Sequence, residues 1–177
     1  MPVIGAFLLG WLVLAVGYAV HERIVASAPA TLVVVIRHAE KQLDAGENPA
    51  LTAAGVARAE RLAQQFGSPG TSFGFERIYV SQYLRSRQTA EPLATVSGVP
   101  MTAVSAEAVD ALTTRIRRDD AGRRVLVVAH SDTIPDIVHS LAPTTTVPVM
   151  PATEYGTAYV IALPRSGRAT VLRMQMP

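Results

Sequence analysis

The feature that most constrains the fold is an uninterrupted apolar run at residues 32–36, which ends abruptly in Arg37 and His38. A strand with no polar residue on either face must be covered on both sides, as in a sheet between two helical layers. A second run of this kind, residues 125–129, ends in His130. The two runs predict central strands of an α/β sheet, each followed by an imidazole.

The segments around these runs alternate between helical and strand patterns. Residues 51–67 have the apolar stripe of a helix, with Thr52 as its N-cap and Gly67 at its end. The other predicted helices are residues 85–98, 106–122 and 133–142, and the other predicted strands are residues 75–82, 100–105, 156–164 and 168–176, the last two as a hairpin. This alternation predicts an α/β fold, a three-layer αβα sandwich with a mostly parallel central sheet and an antiparallel edge.

The amino terminus is a separate apolar segment. Residues 3–20 carry no charge in eighteen positions, and a helix of that length spans about 27 Å, close to the thickness of a bilayer core. Residues 1–23 are therefore predicted to be a transmembrane anchor or a secretory signal cut within VASAPA, with a buried core helix as a third interpretation. Residues 24–30 are a linker and residues 31–177 one compact α/β domain. We expect that domain to be membrane-anchored or exported. We favour the extracytoplasmic side, although the sparse flanking charge leaves an inward-facing domain open.

Composition limits the partners of the domain. The formal net charge is only +2 and aromatic residues make up 6% of the 177 positions, so we expect no nucleic-acid partner. The chain has no cysteine, which excludes disulfide bonds and thiolate chemistry.

Cationic side chains follow three of the predicted strands. Arg37 and His38 end the first, His130 ends another, and Arg85 follows Ser81 at the end of a third. Ligands of open α/β sheets bind beyond the carboxyl ends of the strands, and the planar fork of arginine suits phosphate oxygens. The sequence therefore predicts an anion site at this edge of the sheet.

The same residues belong to four motifs that occur in order: RHAEK, LTAAG, SQYLRSRQTAEPLA and VVAHSDTIPDIV. Together they resemble the histidine phosphatase superfamily, also called phosphoglycerate-mutase-like, and most closely its short bacterial members. The resemblance covers residues 31 to about 175, with Ala39 where the family commonly has glycine. The other positions that match the motifs are Leu51, Thr52, Gly55, Ser81, Arg85, Gln88, Thr89, Ala90 and His130.

The resemblance implies a phosphatase that forms a phosphohistidine intermediate on His38. Arg37, Arg85 and His130 would bind the phosphoryl oxygens of a small phosphorylated substrate or a phosphoprotein, with no metal and no other cofactor. The substrates would be phosphomonoesters, phosphohistidine or acyl phosphates.

The residue that protonates the leaving group is open. In one branch of the family a glutamate follows the second arginine, and Glu107 is the candidate here. In the other branch an aspartate directly follows the second histidine, and here Asp132 comes one residue later, after Ser131. A third possibility is that the site has no general acid, which suits good leaving groups. Asp132 also fits the N-cap of the helix that follows it, as Ser81 fits a cap of the preceding one.

Two other functions remain open on the same residues. A pseudoenzyme that binds phosphorylated ligands without turnover would keep the arginines and lack the acid. A phosphoglycerate-mutase-type phosphotransferase would share the core but needs additional segments, for which this chain is short. Substrate specificity would reside in the loops at residues 42–50 and 143–155, which carry no recognisable motif.

Overall fold

A computed structural model describes residues 29–43, 46–67 and 74–176 of the chain. Strands and helices alternate as the sequence predicts, and the chain then closes with a hairpin. The elements are β1 (Thr31–Arg37), α1 (Ala53–Phe66), β2 (Arg77–Ser81), α2 (Leu84–Ser97), β3 (Met101–Val104), α3 (Val109–Asp119), β4 (Arg124–Ala129), α4 (Ile134–Leu141), β5 (Thr157–Leu163) and β6 (Thr170–Gln175).

All six strands form one sheet, in the order β3-β2-β4-β1-β5-β6. Strands β1 to β4 are parallel, whereas β5 is antiparallel to β1 and β6 is antiparallel to β5. The sheet is therefore mixed, and the prediction of a mostly parallel sheet is wrong. The cause is the segment 142–156, which follows α4 without a strand and returns the chain to the edge where β1 ends, so that β5 runs in the opposite direction.

Helices cover both faces of the sheet, so the prediction of a three-layer arrangement is confirmed. Val33 and Val35 of β1 pack with buried side chains of α3 and α4, whereas Val34 and Ile36 pack with those of α1 and α2. Alternate residues of one strand thus reach two separate cores, which explains why its sequence is apolar without interruption.

The turn from β1 into α1 is held by the backbone of Glu40. The Thr52 amide donates to the Glu40 carbonyl oxygen at 2.9 Å, and the Thr52 hydroxyl accepts a bond from the Gly55 amide as the predicted N-cap. A Cβ atom on Gly55 would lie 2.2 Å from the Glu40 carbonyl oxygen. The LTAAG motif therefore needs glycine at this position because α1 lies directly against the chain that follows His38.

The predicted anchor or signal at residues 1–23 and most of the linker at 24–30 lie outside the described residues. Among the residues that are described, no helix is long and apolar enough to cross a membrane. The interpretation of the amino-terminal segment, and with it the domain boundary at residue 31, stays a prediction.

Candidate active site

Three strands end at one edge of the sheet, which we call the active edge, and deliver the predicted residues there. Arg37 is the last residue of β1 and pairs with Ala129 at the end of β4, and the His38 amide donates to the Ala129 carbonyl at 3.0 Å. His130 follows β4 directly, so the rings of His38 and His130 lie 5.2 Å apart between centroids. The parallel pairing of β1 and β4 thus brings together two histidines that are 92 positions apart in the chain.

The tautomer of His38 is fixed by its neighbour. Its Nδ1 lies 2.8 Å from the carbonyl oxygen of Ala39, and because a carbonyl only accepts, Nδ1 must carry the proton. Nε2 of the neutral ring therefore has a free lone pair. His38 as a whole is only 3% exposed, so packing holds this nitrogen in one orientation.

Both histidines are neutral in the folded protein. Burial, and to a lesser extent the proximity of His130 and the positive charges of Arg85 and Arg37, lowers the pKa of His38 from 6.5 to about 3. Burial, followed by the charge of Arg85, lowers the pKa of His130 from 6.5 to about 4. A neutral imidazole is the form that can act as a nucleophile.

Acid should destabilise the protein through these two rings. Their folded pKa values, about 3 and about 4, lie below the ordinary 6.5, so the unfolded chain binds more protons between those limits. The contribution of the two neutral rings to the free energy of unfolding is complete above pH 6.5. It is lost as the pH falls towards the pKa values of the rings in the folded protein. We expect the unfolding temperature, followed by circular dichroism, to fall between about pH 7 and about pH 4, and to fall less in a His38→Gln/His130→Gln variant. Equal slopes in both proteins would contradict this assignment.

His130 is oriented by two serines. Its Nε2 lies 2.9 Å from the Ser81 hydroxyl, and that hydroxyl donates to the Ser86 oxygen at 2.7 Å. Because the Ser81 proton is used in this way, Nε2 of His130 is the donor to Ser81. The chain of bonds runs from β4 through β2 to α2 and fixes the ring. Ser81 therefore orients His130, and the α2 N-cap position is held by Tyr83 without a side-chain bond.

Arg37 contacts both the candidate site and the loop that precedes β5. Its guanidinium lies 4.3 Å from the centre of the Tyr155 ring, and its Nε is buried with no hydrogen-bond partner. Its Nη1 donates to the carbonyl oxygens of Pro151 at 3.0 Å, Ala152 at 2.9 Å and Glu154 at 2.9 Å. One nitrogen of Arg37 thus anchors the loop, while another buried donor has no acceptor.

Arg85, the second residue of α2, has the largest unmet donor capacity of the described residues. Its Nε and Nη1 are both buried without a hydrogen-bond partner. The guanidinium lies 4.2 Å from the centre of the Tyr83 ring, and that ring meets His130 edge-on at 5.3 Å. Burial lowers the pKa of Arg85, and the charge of Arg37 adds to this effect. Buried cationic donors without acceptors are what an oxyanion would satisfy.

Other motif residues hold the backbone around the site. The Thr89 hydroxyl accepts from the Ala39 amide at 2.9 Å and donates to the Arg85 carbonyl at 2.7 Å. The Gln88 Oε1 accepts from the Leu51 amide at 2.9 Å. These bonds attach Ala39, directly after His38, and Leu51 to helix α2.

Glu107 and Asp132 both lie near His130, but neither is placed as a typical general acid. The Glu107 carboxylate is exposed, and a hydrogen bond from Ser105, followed by weaker interactions such as one with Gln82, lowers its pKa. Asp132 is exposed, and its side chain accepts a hydrogen bond from the Thr133 amide at 3.0 Å. Its negative charge contributes to the pKa of both Arg85 and His130. Thr133, not Asp132, occupies the N-cap position of α4. In the described part of the chain, no hydrogen bond joins either carboxylate to His38 or His130, and no group of three or more His, Cys, Asp or Glu side chains could hold a metal ion.

Two aromatic residues of the site were not predicted. Tyr83 stands between Ser81 and Arg85 within a motif, so the contact of its ring with the Arg85 guanidinium could have been suspected from position alone. Tyr155, with its ring 6.3 Å from that of His38, has no local signal in the sequence. Asn48 is a third residue whose contact was not predicted. Its side chain accepts a hydrogen bond from the Leu84 amide at 2.8 Å and so caps α2 from a distant loop.

Comparison with known proteins agrees with the fold and the motifs. Residues 33–106 match the sequence model of the histidine phosphatase superfamily, branch 1, and no curated protein matches the chain. The structure is similar to the protein histidine phosphatase SixA complexed with tungstate, with a TM-score of 0.65 and 25% identity over 81% of this chain and 96% of that one.

Two further solved structures share the fold at lower identity. A mycobacterial glucosyl-3-phosphoglycerate phosphatase has a TM-score of 0.63 and 13% identity over 84% of this chain and 100% of its own. The phosphoglycerate mutase of Bacillus anthracis has a TM-score of 0.60 and 16% identity over 84% of this chain and 94% of its own. The sequence match over residues 33–106, the structural similarity and the position of the four motifs at the active edge all agree with the resemblance to the histidine phosphatase superfamily.

Proposed function

We propose that the protein is a metal-independent phosphatase that transfers the phosphoryl group of its substrate to His38 and then to water. The observation that carries the proposal is the fixed tautomer of His38, whose Nδ1–H is held by the Ala39 carbonyl at 2.8 Å. This leaves Nε2 as a nucleophile next to His130 and near two side chains that attract anions, Arg37 and Arg85.

The reaction needs two displacements at phosphorus. In the first, the Nε2 lone pair of His38 attacks phosphorus, the bond to the leaving group breaks, and the leaving group departs with the electron pair. The phosphorylated ring is then cationic, and the Ala39 carbonyl continues to accept from Nδ1. In the second, water attacks phosphorus, its proton passes to solvent, and inorganic phosphate leaves with restoration of the His38 lone pair.

Charge stabilisation comes from the arginines. Arg37 Nε, Arg85 Nε and Arg85 Nη1 are buried donors without acceptors, and phosphoryl oxygens carry the charge that such donors stabilise in the transition state. Protonation of His130 upon binding of a phosphate dianion would add a further donor at Nδ1, because its Nε2 is already committed to Ser81. A positive charge supplied by side chains makes a metal ion unnecessary for this step.

The leaving group decides which substrates suit the site. A lowered pKa keeps Glu107 ionised at neutral pH, whereas a general acid needs a proton near the working pH. Acyl phosphates expel a carboxylate, which needs no proton, and phosphohistidine expels a nitrogen that solvent can protonate. We therefore propose acyl phosphates or phosphohistidine as better substrates than alkyl phosphates. The similarity to SixA, described as a protein histidine phosphatase with bound tungstate, supports this choice, since tungstate is a tetrahedral oxyanion like phosphate.

Phosphate release from three substrates tests the proposal. The full chain, assayed with a chelator present, should hydrolyse acetyl phosphate and p-nitrophenyl phosphate. We expect kcat/KM for glycerol phosphate to be at least about a hundredfold lower than for acetyl phosphate, since a positioned acid is worth roughly 10²–10⁴ in rate. The measurement is inorganic phosphate released against time at several substrate concentrations.

The outcomes separate the alternatives. Equal kcat/KM for the alkyl and the acyl substrate would mean that a general acid works, and Glu107→Gln and Asp132→Asn variants would identify it by selective loss of the alkyl substrate. Activity that disappears with the chelator would overturn metal independence. Tungstate binding without any release would support the ligand-binding pseudoenzyme, and movement of phosphate within phosphoglycerate without release would support the mutase.

A further inference from the structure

The two ends of the sheet differ in charge. The end opposite the active edge is where β1, β2 and β4 begin and where the β5–β6 hairpin turns, as the pairings Thr31 with Leu163 and Leu32 with Arg124 show. We call this the basic end. Eight arginines lie there: Arg77, Arg115, Arg117, Arg118, Arg123, Arg124, Arg165 and Arg168.

Carboxylates neutralise only part of this charge. The three acids of the basic end are each paired with one arginine: Glu76 with Arg124 at 3.5 Å, Asp119 with Arg118 at 2.7 Å and Asp120 with Arg77 at 3.2 Å. The other five arginines have no carboxylate partner in the described part of the chain, and Arg165 and Arg168 are exposed in the hairpin turn. The excess of five charges at this end exceeds the formal net charge of the whole chain, +2.

At the rim of the active edge, in contrast, most of the exposed charged side chains are acidic. Its catalytic arginines are partly or fully buried, whereas acidic side chains project into solvent around them alongside Lys41 and Arg87. The exposed carboxylates are Glu47, Glu107, Asp110, Asp132 and Asp136. An anionic surface would therefore repel this rim and attract the basic end.

The chain also enters the domain at the basic end. Pro29 lies against Gly122, with 3.4 Å from its ring to the position of a Cβ there, and the Gly122 amide donates to the Thr31 hydroxyl at 2.8 Å. Only nine positions separate Pro29 from the end of the uncharged stretch 3–20, and nine residues reach at most about 30 Å. A membrane that held residues 3–20 would thus lie close to the basic end.

We propose that the basic end rests on the surface of an anionic phospholipid bilayer and that the active edge faces the aqueous phase. Each arginine near an anionic surface strengthens attachment about fivefold, and the attraction acts within a Debye length of about 10 Å at 0.1 M salt. Strand β1, seven residues long, spans about 23 Å and separates the catalytic histidines from the lipid. Substrates then reach the site from solution.

The absence of cysteine from the chain makes a positional test direct. A Ser166→Cys variant of the full chain places an environment-insensitive fluorophore in the hairpin turn, and a Glu47→Cys variant places it at the active edge. Both are added to phosphatidylcholine vesicles, with or without phosphatidylglycerol, that carry a nitroxide on the lipid headgroup. The measurement is collisional quenching, which reports only contact with the headgroup layer.

We expect strong quenching at position 166 and little at position 47, only with phosphatidylglycerol present, and its loss when salt is raised from about 0.05 M to about 0.5 M. An added Arg165→Glu/Arg168→Glu change should reduce the quenched population at least about tenfold. The matched control, Arg61→Glu/Arg87→Glu, makes the same charge change at exposed positions elsewhere and should have little effect. Equal quenching at both positions, quenching independent of anionic lipid, no quenching at either position, or equal loss in the control variant would each overturn the proposal.

Discussion

The His38→Ala variant is expected to release phosphate from acetyl phosphate at least about a thousandfold more slowly than the wild type. The size of the effect follows from the chemistry, because alanine offers no lone pair and the reaction then depends on direct attack by water. The remaining arginines can still bind the phosphoryl group, so residual activity above the uncatalysed rate is expected. The measurement is single-turnover phosphate release, which does not depend on how fast the product leaves.

A matched variant separates loss of the nucleophile from loss of an imidazole in general. His139 is exposed in α4, away from the site, and His139→Ala should keep wild-type rates. Because His38 is 3% exposed, its removal also leaves a small cavity, and the unfolding temperature of both variants shows whether the fold is kept. Tungstate binding by His38→Ala, followed by calorimetry, shows whether the anion site is kept.

A covalent intermediate gives a second readout of the same prediction. Wild-type protein quenched in base during turnover should carry one phosphoryl group that is stable to base and labile to acid, as a phosphohistidine is, and mass spectrometry should place it on His38. Comparable rates in His38→Ala and wild type, in a folded variant that binds tungstate, would mean that water attacks the substrate directly. The fixed tautomer of His38 would then serve binding alone.

The positions of the candidate site residues could be predicted because they depend on local pattern and on one general rule. The run at residues 32–36 identifies a strand buried on both faces, and the carboxyl ends of parallel strands collect at one edge. Arg37 and His38 are therefore placed as soon as the strand is recognised. The N-cap of α1 at Thr52 is similarly local, since it needs only the hydroxyl and the three residues that follow.

The direction of β5 could not be predicted because it depends on contacts between distant residues. The segment 142–156 has neither helical nor strand periodicity, and its path to the active edge is fixed by the bonds from Arg37 to the carbonyls of residues 151, 152 and 154. Those carbonyls exist in any sequence, so no residue type marks them. Tyr155 was missed for the same reason. The orientation of His130 by Ser81 and Ser86 likewise appears only when β2, β4 and α2 are in place.

Replacing Arg85 by methionine is expected to lower kcat/KM about 10²- to 10³-fold while leaving the unfolding temperature unchanged or higher. The loss follows from removal of two buried donors, Nε and Nη1, at the position where phosphoryl charge develops. The predicted effect on stability has the opposite sign. In the protein without a bound anion, the partly buried charge of the guanidinium lowers the free energy of unfolding. Burial and the charge of Arg37 both lower the pKa of Arg85, which means that the surroundings disfavour its charged form.

Methionine keeps the length and flexibility of the side chain, and with them the contact with the Tyr83 ring, so packing changes little. Two further variants sharpen the comparison. Arg87→Met makes the same change at an exposed position two residues along α2 and should alter neither activity nor stability. Arg85→Lys keeps the charge but not the planar fork, and should recover only part of the activity.

Anion binding links the predicted loss of activity in Arg85→Met to its predicted effect on the unfolding temperature. Tungstate should raise the unfolding temperature of the wild type, because it supplies acceptors for the unmet donors and charge for both arginines. In Arg85→Met the same concentration should raise it much less, so that the order of stability of the two proteins reverses when the anion is added. Thermal unfolding of both proteins with and without tungstate measures this directly. If Arg85→Met is several degrees less stable than the wild type without tungstate and retains its kcat/KM, Arg85 is a structural residue and the anion site lies elsewhere.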